Sequence, residues 1–122
     1  MTKFVILIAE DDPINYMFLK IILKNIVKRI DHAINGKEAV DLASKNPYDL
    51  VLMDLEMPVM NGIIATQKIK QRFPDLPIIV QTAFIAQNDK DQALEAGCDD
   101  FIGKPFNKDD LLEMINKLMI SK

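Results

Sequence analysis

Apolar positions along the chain follow two alternating patterns. Short, nearly continuous apolar runs alternate with longer segments in which apolar residues recur every three or four positions. The first run is KFVILIA, near residues 3–9. It is too uniformly apolar for a sheet with one face in water. From Pro13 to about Val27, residues Ile14, Met17, Phe18, Ile21 and Ile22 fall at helical spacing. Asp12 suits the cap before that helix and Pro13 its first position. RIDHAI, near 29–34, reads as a weaker strand. Asn35 and Glu38 form a capping pair for a helix to about Lys45. YDLVLMD, 48–54, is a strong buried strand, EMPVMNG a loop, and a helix runs from about Gly62 to Arg72. LPIIVQT, 76–82, is the fourth strand. A helix from roughly Ala86 to Ala96 ends at Gly97, a natural residue for the turn out of a helix. DDFIGKP holds a short fifth strand, and Asn107 caps a last helix with Leu111, Leu112, Ile115 and Leu118 on one face.

The element order is therefore (βα)₅. Alternating strands and helices imply a parallel five-stranded sheet with right-handed crossovers and helices on both faces, a doubly wound α/β fold. No repeat, linker or low-complexity stretch divides residues 1–122, so one domain is expected. An open sheet of this kind binds ligands outside the carboxyl ends of its strands, at a topological switch point.

Composition narrows the class. Hydrophobic residues make up 49% and charged residues 27%, as in an ordinary globular domain. No apolar run approaches the ~18 residues of a membrane span. The N-terminal MTKFVILIAEDD reaches acidic residues too soon for a signal peptide. A net charge of −3 argues against nucleic acid as a partner. Lys24, Lys28 and Arg29, the densest basic group, read as a solvated helix end. The single cysteine, Cys98, excludes an internal disulfide and a cysteine-based zinc site, and favours a reducing, cytoplasmic setting. Beside Gly97 it reads as buried and inert.

The polar residues at the strand ends carry the candidate chemistry. Strand one ends at Glu10 and Asp11, strand three at Asp54, strand four at Gln81 and Thr82, and strand five just before Lys104. All strands are parallel, so these groups share one edge. In a 2-1-3-4-5 strand order Asp11 and Asp54 face each other. Hard oxygen donors around an open position suit Mg²⁺, with Mn²⁺ as an alternative. A carboxylate in such a site can act as a nucleophile toward phosphorus. A lysine and a hydroxyl beside it suit the phosphoryl oxygens, whose charge must be neutralised. Each residue alone has a plainer reading: a turn aspartate, a strand-end threonine, a loop lysine. Asp12, next to Pro13, is better explained as a cap. His32, the only histidine, reads as a strand residue away from this edge.

Four segments, LIAEDDP, VLMDLEMPVMNG, QTA and DDFIGKPF, together resemble the receiver domain of two-component response regulators over essentially the whole chain. Their style is similar to receivers of hybrid histidine kinases. The resemblance implies a flavodoxin-like fold and a set of roles. Asp54 is the phospho-acceptor. Asp11 and Asp54 ligate Mg²⁺ directly, the backbone carbonyl of Glu56 is a third protein ligand, and Glu10 helps through a water. Thr82 is the switch hydroxyl, and Ala83 is small enough for the phosphoryl group to sit close. Lys104 pairs with the phosphate, or with Asp54 before phosphorylation, and the Lys104–Pro105 bond is cis. Phe101, where tyrosine is common, is the aromatic switch on the face of the fourth helix, fifth strand and fifth helix. Asn61-Gly62 stands where Asp-Gly is frequent and keeps a helix-start role. Phe84 lies at the pocket rim and is expected to hinder attacking water.

The function implied is a phospho-accepting signalling switch, not an enzyme acting on other substrates. Its partners would be a histidine kinase or histidine phosphotransfer protein, and a downstream protein. Two alternatives are a phosphorylation-independent docking module and a Mg²⁺-dependent phosphatase of haloacid-dehalogenase type. The DLE run at 54–56 is a near miss to the DxD of the latter, whose nucleophile ends the first strand instead.

Overall fold

Two strands with no polar side chain before their last residues form the centre of the sheet: β1 (Phe4–Ala9) and β3 (Leu50–Asp54). They pair in parallel, and the order across the sheet is β2-β1-β3-β4-β5. The flanking strands are β2 (Val27–Ala33), β4 (Ile78–Thr82) and β5 (Asp100–Gly103). The helices are α1 (Pro13–Leu23), α2 (Gly36–Lys45), α3 (Gly62–Arg72), α4 (Gln87–Ala96) and α5 (Lys108–Ile120). The computed structural model describes residues 3–83 and 87–120, with the backbone alone at 87 and 88. The strand order and the helices on both faces are those expected from the sequence.

Strand alternation divides the core in two. Leu7, Val51, Met53, Ile78 and Val80 point to one face and pack with Ala39, Ala65, Ile69 and Ala93 of α2, α3 and α4. Ile6, Ile8, Leu50, Leu52 and Ile79 point to the other and meet Leu19, Ile22 and Leu23 of α1 and Leu111 and Ile115 of α5. Each fully buried Leu or Ile contributes about 1.5–3 kcal/mol relative to exposure, so this two-sided core drives the fold. Both layers converge on the same result: the carboxyl ends of β1, β3, β4 and β5 are held at one level. Ala9 pairs with Met53, Asp54 with Gln81, and Thr82 with Gly103.

The helix caps follow the sequence. Asp12 Oδ1 accepts from the Ile14 amide at 3.0 Å, Asn61 Oδ1 from Ile64 at 3.0 Å and Asn107 Oδ1 from Asp110 at 2.8 Å. Asn35 Oδ1 accepts from Glu38 N at 2.8 Å, while Glu38 Oε1 reaches back to the Ile34 amide at 2.9 Å. Gly97 has φ +102°, a conformation that favours glycine.

The α1 region departs from the expectation. The helix stops at Leu23 rather than near Val27: the Lys24 amide turns to Ile21 O, the Ile26 amide to Leu23 O, and Val27 pairs with Phe4. Lys28 and Arg29 therefore belong to β2 and not to a helix end. The buried face is also different. Leu19, Ile22 and Leu23 are buried, whereas Ile14, Met17 and Ile21 are 78%, 61% and 70% exposed. The apolar residues of α1 wrap more than one face, and the sheet covers only the later turns.

Candidate functional site

At the carboxyl edge of the sheet, Glu10, Asp11, Asp54 and Lys104 come together. β1 delivers Glu10, which is wholly buried, and the exposed Asp11 follows it. β3 delivers Asp54, 3% exposed. The loop after β5 brings Lys104, whose Nζ lies 3.2 Å from Glu10 Oε1 and 3.3 Å from Asp54 Oδ1. The Lys104 amide donates to Thr82 O at 2.7 Å, and the Lys104–Pro105 peptide is cis. The Asp12 side chain caps α1, as expected, while its amide donates to Glu10 Oε2 at 3.2 Å.

Two buried carboxylates and one ammonium leave an imbalance of charge. Burial, then the neighbouring Glu10, pushes the Asp54 carboxyl up to about 8, against the pull of Lys104. Glu10 shifts the other way. Burial alone would raise it, but hydrogen bonds from Asp54, Asn15 and the Asp12 amide, with the charge of Lys104, hold it below the usual carboxylate range. Burial would lower the Lys104 ammonium, yet the charges of Asp54 and Glu10 raise it overall. Lys104 is therefore held as a cation, and a divalent cation bound beside the two carboxylates would offset the repulsion between them.

Around this centre, Thr82 ends β4 and its hydroxyl donates to Glu56 Oε1 at 3.0 Å. Ala83 is exposed next to it. Asp11, Leu55, Glu56, Met57, Pro58 and Asn61 border an open groove of about 600 Å³ that runs from the site toward α4. Gly62 opens α3 where a Cβ would collide with the carbonyl oxygen of Asp54. Phe101 on β5 is half-buried, with Lys90 Nζ 5.2 Å from its ring centroid. Phe84 lies outside the described residues.

Three further side chains belong to this edge. Asn15, one turn into α1, donates from Nδ2 to Glu10 Oε1 and lies 3.4 Å from Gln81 Oε1. Gln81 Nε2 is buried with no hydrogen-bond partner among the described residues. His32 is not remote from the edge, contrary to the sequence reading: its Nε2 lies 2.7 Å from the Glu10 carbonyl oxygen. A polar residue on the buried side of α1 was the available signal for Asn15. No local pattern pointed to His32, because its contact joins two strands.

Carboxylate oxygens of Glu10, Asp11 and Asp54 all lie within 4.8 Å of one another. An all-oxygen set with two anionic groups deep in the site and one open to solvent fits Mg²⁺, which prefers hard ligands and retains waters. The comparisons agree. The family model for the response regulator receiver domain matches residues 6–116. The chain is 41% identical over 115 residues to the chemotaxis protein CheY of Bacillus subtilis, covering 93% of this chain and 96% of that one. It is 37% identical over 115 residues to Two-component system protein A of Emericella nidulans, covering 92% of this chain but spanning only 17% of that longer protein. The receiver domain of a sensor histidine kinase from Pseudomonas aeruginosa, solved with a magnesium ion coordinated in its active site cleft, superposes with TM-score 0.89 at 32% identity, covering 97% and 98% of the two chains. The chain belongs to the response regulator receiver domain family. Its class is that of the phospho-accepting signalling domains of two-component systems and hybrid histidine kinases, and its acidic cluster is of a kind that fits Mg²⁺. Nothing in fold or family favours a haloacid-dehalogenase-type phosphatase or an unphosphorylated docking module.

Proposed function

We propose that Asp54 accepts a phosphoryl group from a phosphohistidine of a histidine kinase or histidine phosphotransfer protein. A carboxylate oxygen of Asp54 forms the bond to phosphorus as the phosphorus–nitrogen bond of the donor breaks, and the imidazole keeps the electron pair. The observation that carries this reading is Lys104 Nζ lying within 3.3 Å of both Glu10 and Asp54, with the Asp11 carboxylate beside them. Asp11, Asp54 and the Glu56 carbonyl would hold Mg²⁺, with Glu10 acting through a water. When bound, the ion neutralises charge on the transferring group. Lys104 moves its ammonium from the carboxylates to the new phosphoryl oxygens. Thr82 turns its hydroxyl toward them, and Ala83 leaves room for them.

The added charge biases a pre-existing equilibrium between two arrangements of the loops after β4 and β5. Phe101 carries that change to the α4-β5-α5 face, where a downstream protein docks. Residues 1–122 act as one receiver unit in the cytoplasm, catalysing only their own phosphorylation and slow dephosphorylation. The family resemblance, rather than the described residues, assigns Phe84 to the pocket rim, where it would slow the attack of water, so Phe84→Ala should lose label faster. No helix among the described residues is long and apolar enough to cross a membrane. The decisive test is phosphotransfer from candidate kinases to wild type and Asp54→Asn. Label persisting on the Asn variant would overturn the acceptor assignment.

A further inference from the structure

The end of the β1–β2 ladder is closed by a side chain. β2 finishes at Ala33, whose carbonyl accepts from the Glu10 amide at 2.9 Å. The next donor in this parallel register, the Asn35 amide, makes no backbone hydrogen bond to the Glu10 carbonyl among the described residues. The Glu10 carbonyl accepts instead from His32 Nε2 at 2.7 Å. A carbonyl only accepts, so Nε2 carries the proton. His32 pairs with Ile8 across the ladder, which places its ring on the α1 side of the sheet. There Tyr16 lies flat on it, with ring centroids 3.6 Å apart and planes within 6°. The stack keeps the imidazole from turning about its own axis, and Nε2 stays aimed at the carbonyl.

What this fixes is the peptide that launches Asp11. The Glu10 carbonyl and the Asp11 amide share one plane, so holding the oxygen sets the direction in which the Asp11 backbone departs. Glu10 has its carboxylate held by Asn15, Lys104 and the Asp12 amide. The exposed Asp11 carboxylate makes no hydrogen bond or ion pair among the described residues, so its place in the cluster depends on its backbone.

We infer that His32, braced by the Tyr16 ring, is a positioning residue of the cation site: its Nε2–H anchors the Glu10–Asp11 peptide so that the Asp11 carboxylate reaches the ion. This rests on the reading of Glu10, Asp11 and Asp54 as a Mg²⁺ site. Groups that orient the ligands of a metal without touching it commonly change affinity by about 10–100-fold when removed.

The experiment is calorimetric titration of the full chain with Mg²⁺ for wild type, His32→Phe, His32→Gln and Tyr16→Phe. The Phe variant at 32 keeps a ring for the stack and loses the donor, so the Mg²⁺ Kd should rise about tenfold. The Gln variant restores an N–H donor and should recover much of that loss. Tyr16→Phe keeps the stack and should bind as wild type. Thermal midpoints in chelator separate this from loss of fold, since the Kd ratio should exceed anything a small midpoint change explains. A chain with one histidine also allows a direct measurement on wild type, which settles the matter if the Phe variant does not fold. The imidazole nitrogen resonances should shift along the same Mg²⁺ titration curve as the Asp11 amide. A Kd for folded His32→Phe within twofold of wild type, or imidazole resonances that stay still while the Asp11 amide moves, overturns this role and leaves the cation reading intact. Wild type failing to bind Mg²⁺ overturns both.

Discussion

The Thr82 hydroxyl donates to the carboxylate of Glu56 at 3.0 Å, at the sheet edge that also carries Asp54. If Thr82 is the hydroxyl that later meets the phosphoryl oxygens, this bond must break first. A hydrogen bond to a charged group contributes about 1.5–3 kcal/mol when buried. Solvent at this partly buried pair reduces that to about 1 kcal/mol, which corresponds to roughly a fivefold bias in a two-state equilibrium. Glu56→Ala should therefore speed phosphorylation by acetyl phosphate in saturating Mg²⁺ about threefold to fivefold. An unchanged or slower rate would show that the Glu56 contact does not restrain Thr82.

Lys104 is the cation nearest to both buried carboxylates. Lys104→Met keeps the length of the side chain and removes the charge. Leaving buried charge uncompensated is strongly destabilising, and partial exposure of Lys104 moderates this to about 2 kcal/mol. Mg²⁺ should restore part of the loss by binding the folded chain alone. Urea unfolding in chelator and in Mg²⁺ checks this. Equal destabilisation in both would mean that Lys104 contributes packing rather than charge.

The start of α3 is pressed against the end of β3. The Gly62 amide donates to Leu55 O at 3.0 Å, and an added Cβ would strike the Asp54 carbonyl oxygen. That neighbour is backbone and cannot rotate away. Gly62→Ala should cost about 2–3 kcal/mol and should shift the amide resonances of Asp54 and Leu55. Gly97→Ala is a useful contrast. Its φ of +102° strains any side chain, but its nearest neighbour is the flexible Lys70 stem at 3.3 Å. A loss of about 1–2 kcal/mol is expected there, with the Asp54 region undisturbed. Denaturation midpoints and amide spectra of the two variants distinguish the cases.

These sites differ in how far the chain announces them. β1 and β3 are legible because nothing but two buried faces explains runs such as VILIA and LVLM. Once the strands are parallel, Asp11, Asp54, Thr82 and Lys104 must share an edge, so the chemistry follows from topology. The caps at Asp12, Asn35, Asn61 and Asn107 are legible because each pairs one side chain with an amide two or three residues on. The face of α1 was not. Ile14, Met17 and Ile21 fit helical spacing as well as Leu19, Ile22 and Leu23 do, and only the position of the sheet decides between them. His32 was illegible as a neighbour of Glu10 for a related reason: its contact spans 22 residues, beyond any local pattern.

Asp31 of the edge strand β2 and Tyr48, in the loop before β3, form a second ionisable pair. The Tyr48 hydroxyl donates to Asp31 Oδ2 at 2.6 Å, and Arg29 Nε lies 3.2 Å from Asp31 Oδ1. Burial, then the hydrogen bond to Asp31 and its charge, push the phenol up to about 12, from an ordinary value near 10. The sign follows from linkage: the folded chain favours the protonated phenol more than the unfolded chain does. The stabilisation is complete below about pH 10 and is lost as pH rises toward about 12. Tyr16 titrates high as well, raised by burial and then Asp31, so the two tyrosines overlap. In Tyr16→Phe, the remaining tyrosinate absorbance should rise with a midpoint near 12 while the chain stays folded. Tyr48→Phe should flatten the fall in urea stability between pH 10 and 12. A tyrosinate midpoint near 10 in the folded Tyr16→Phe chain would show that the Asp31 contact does not hold the phenol.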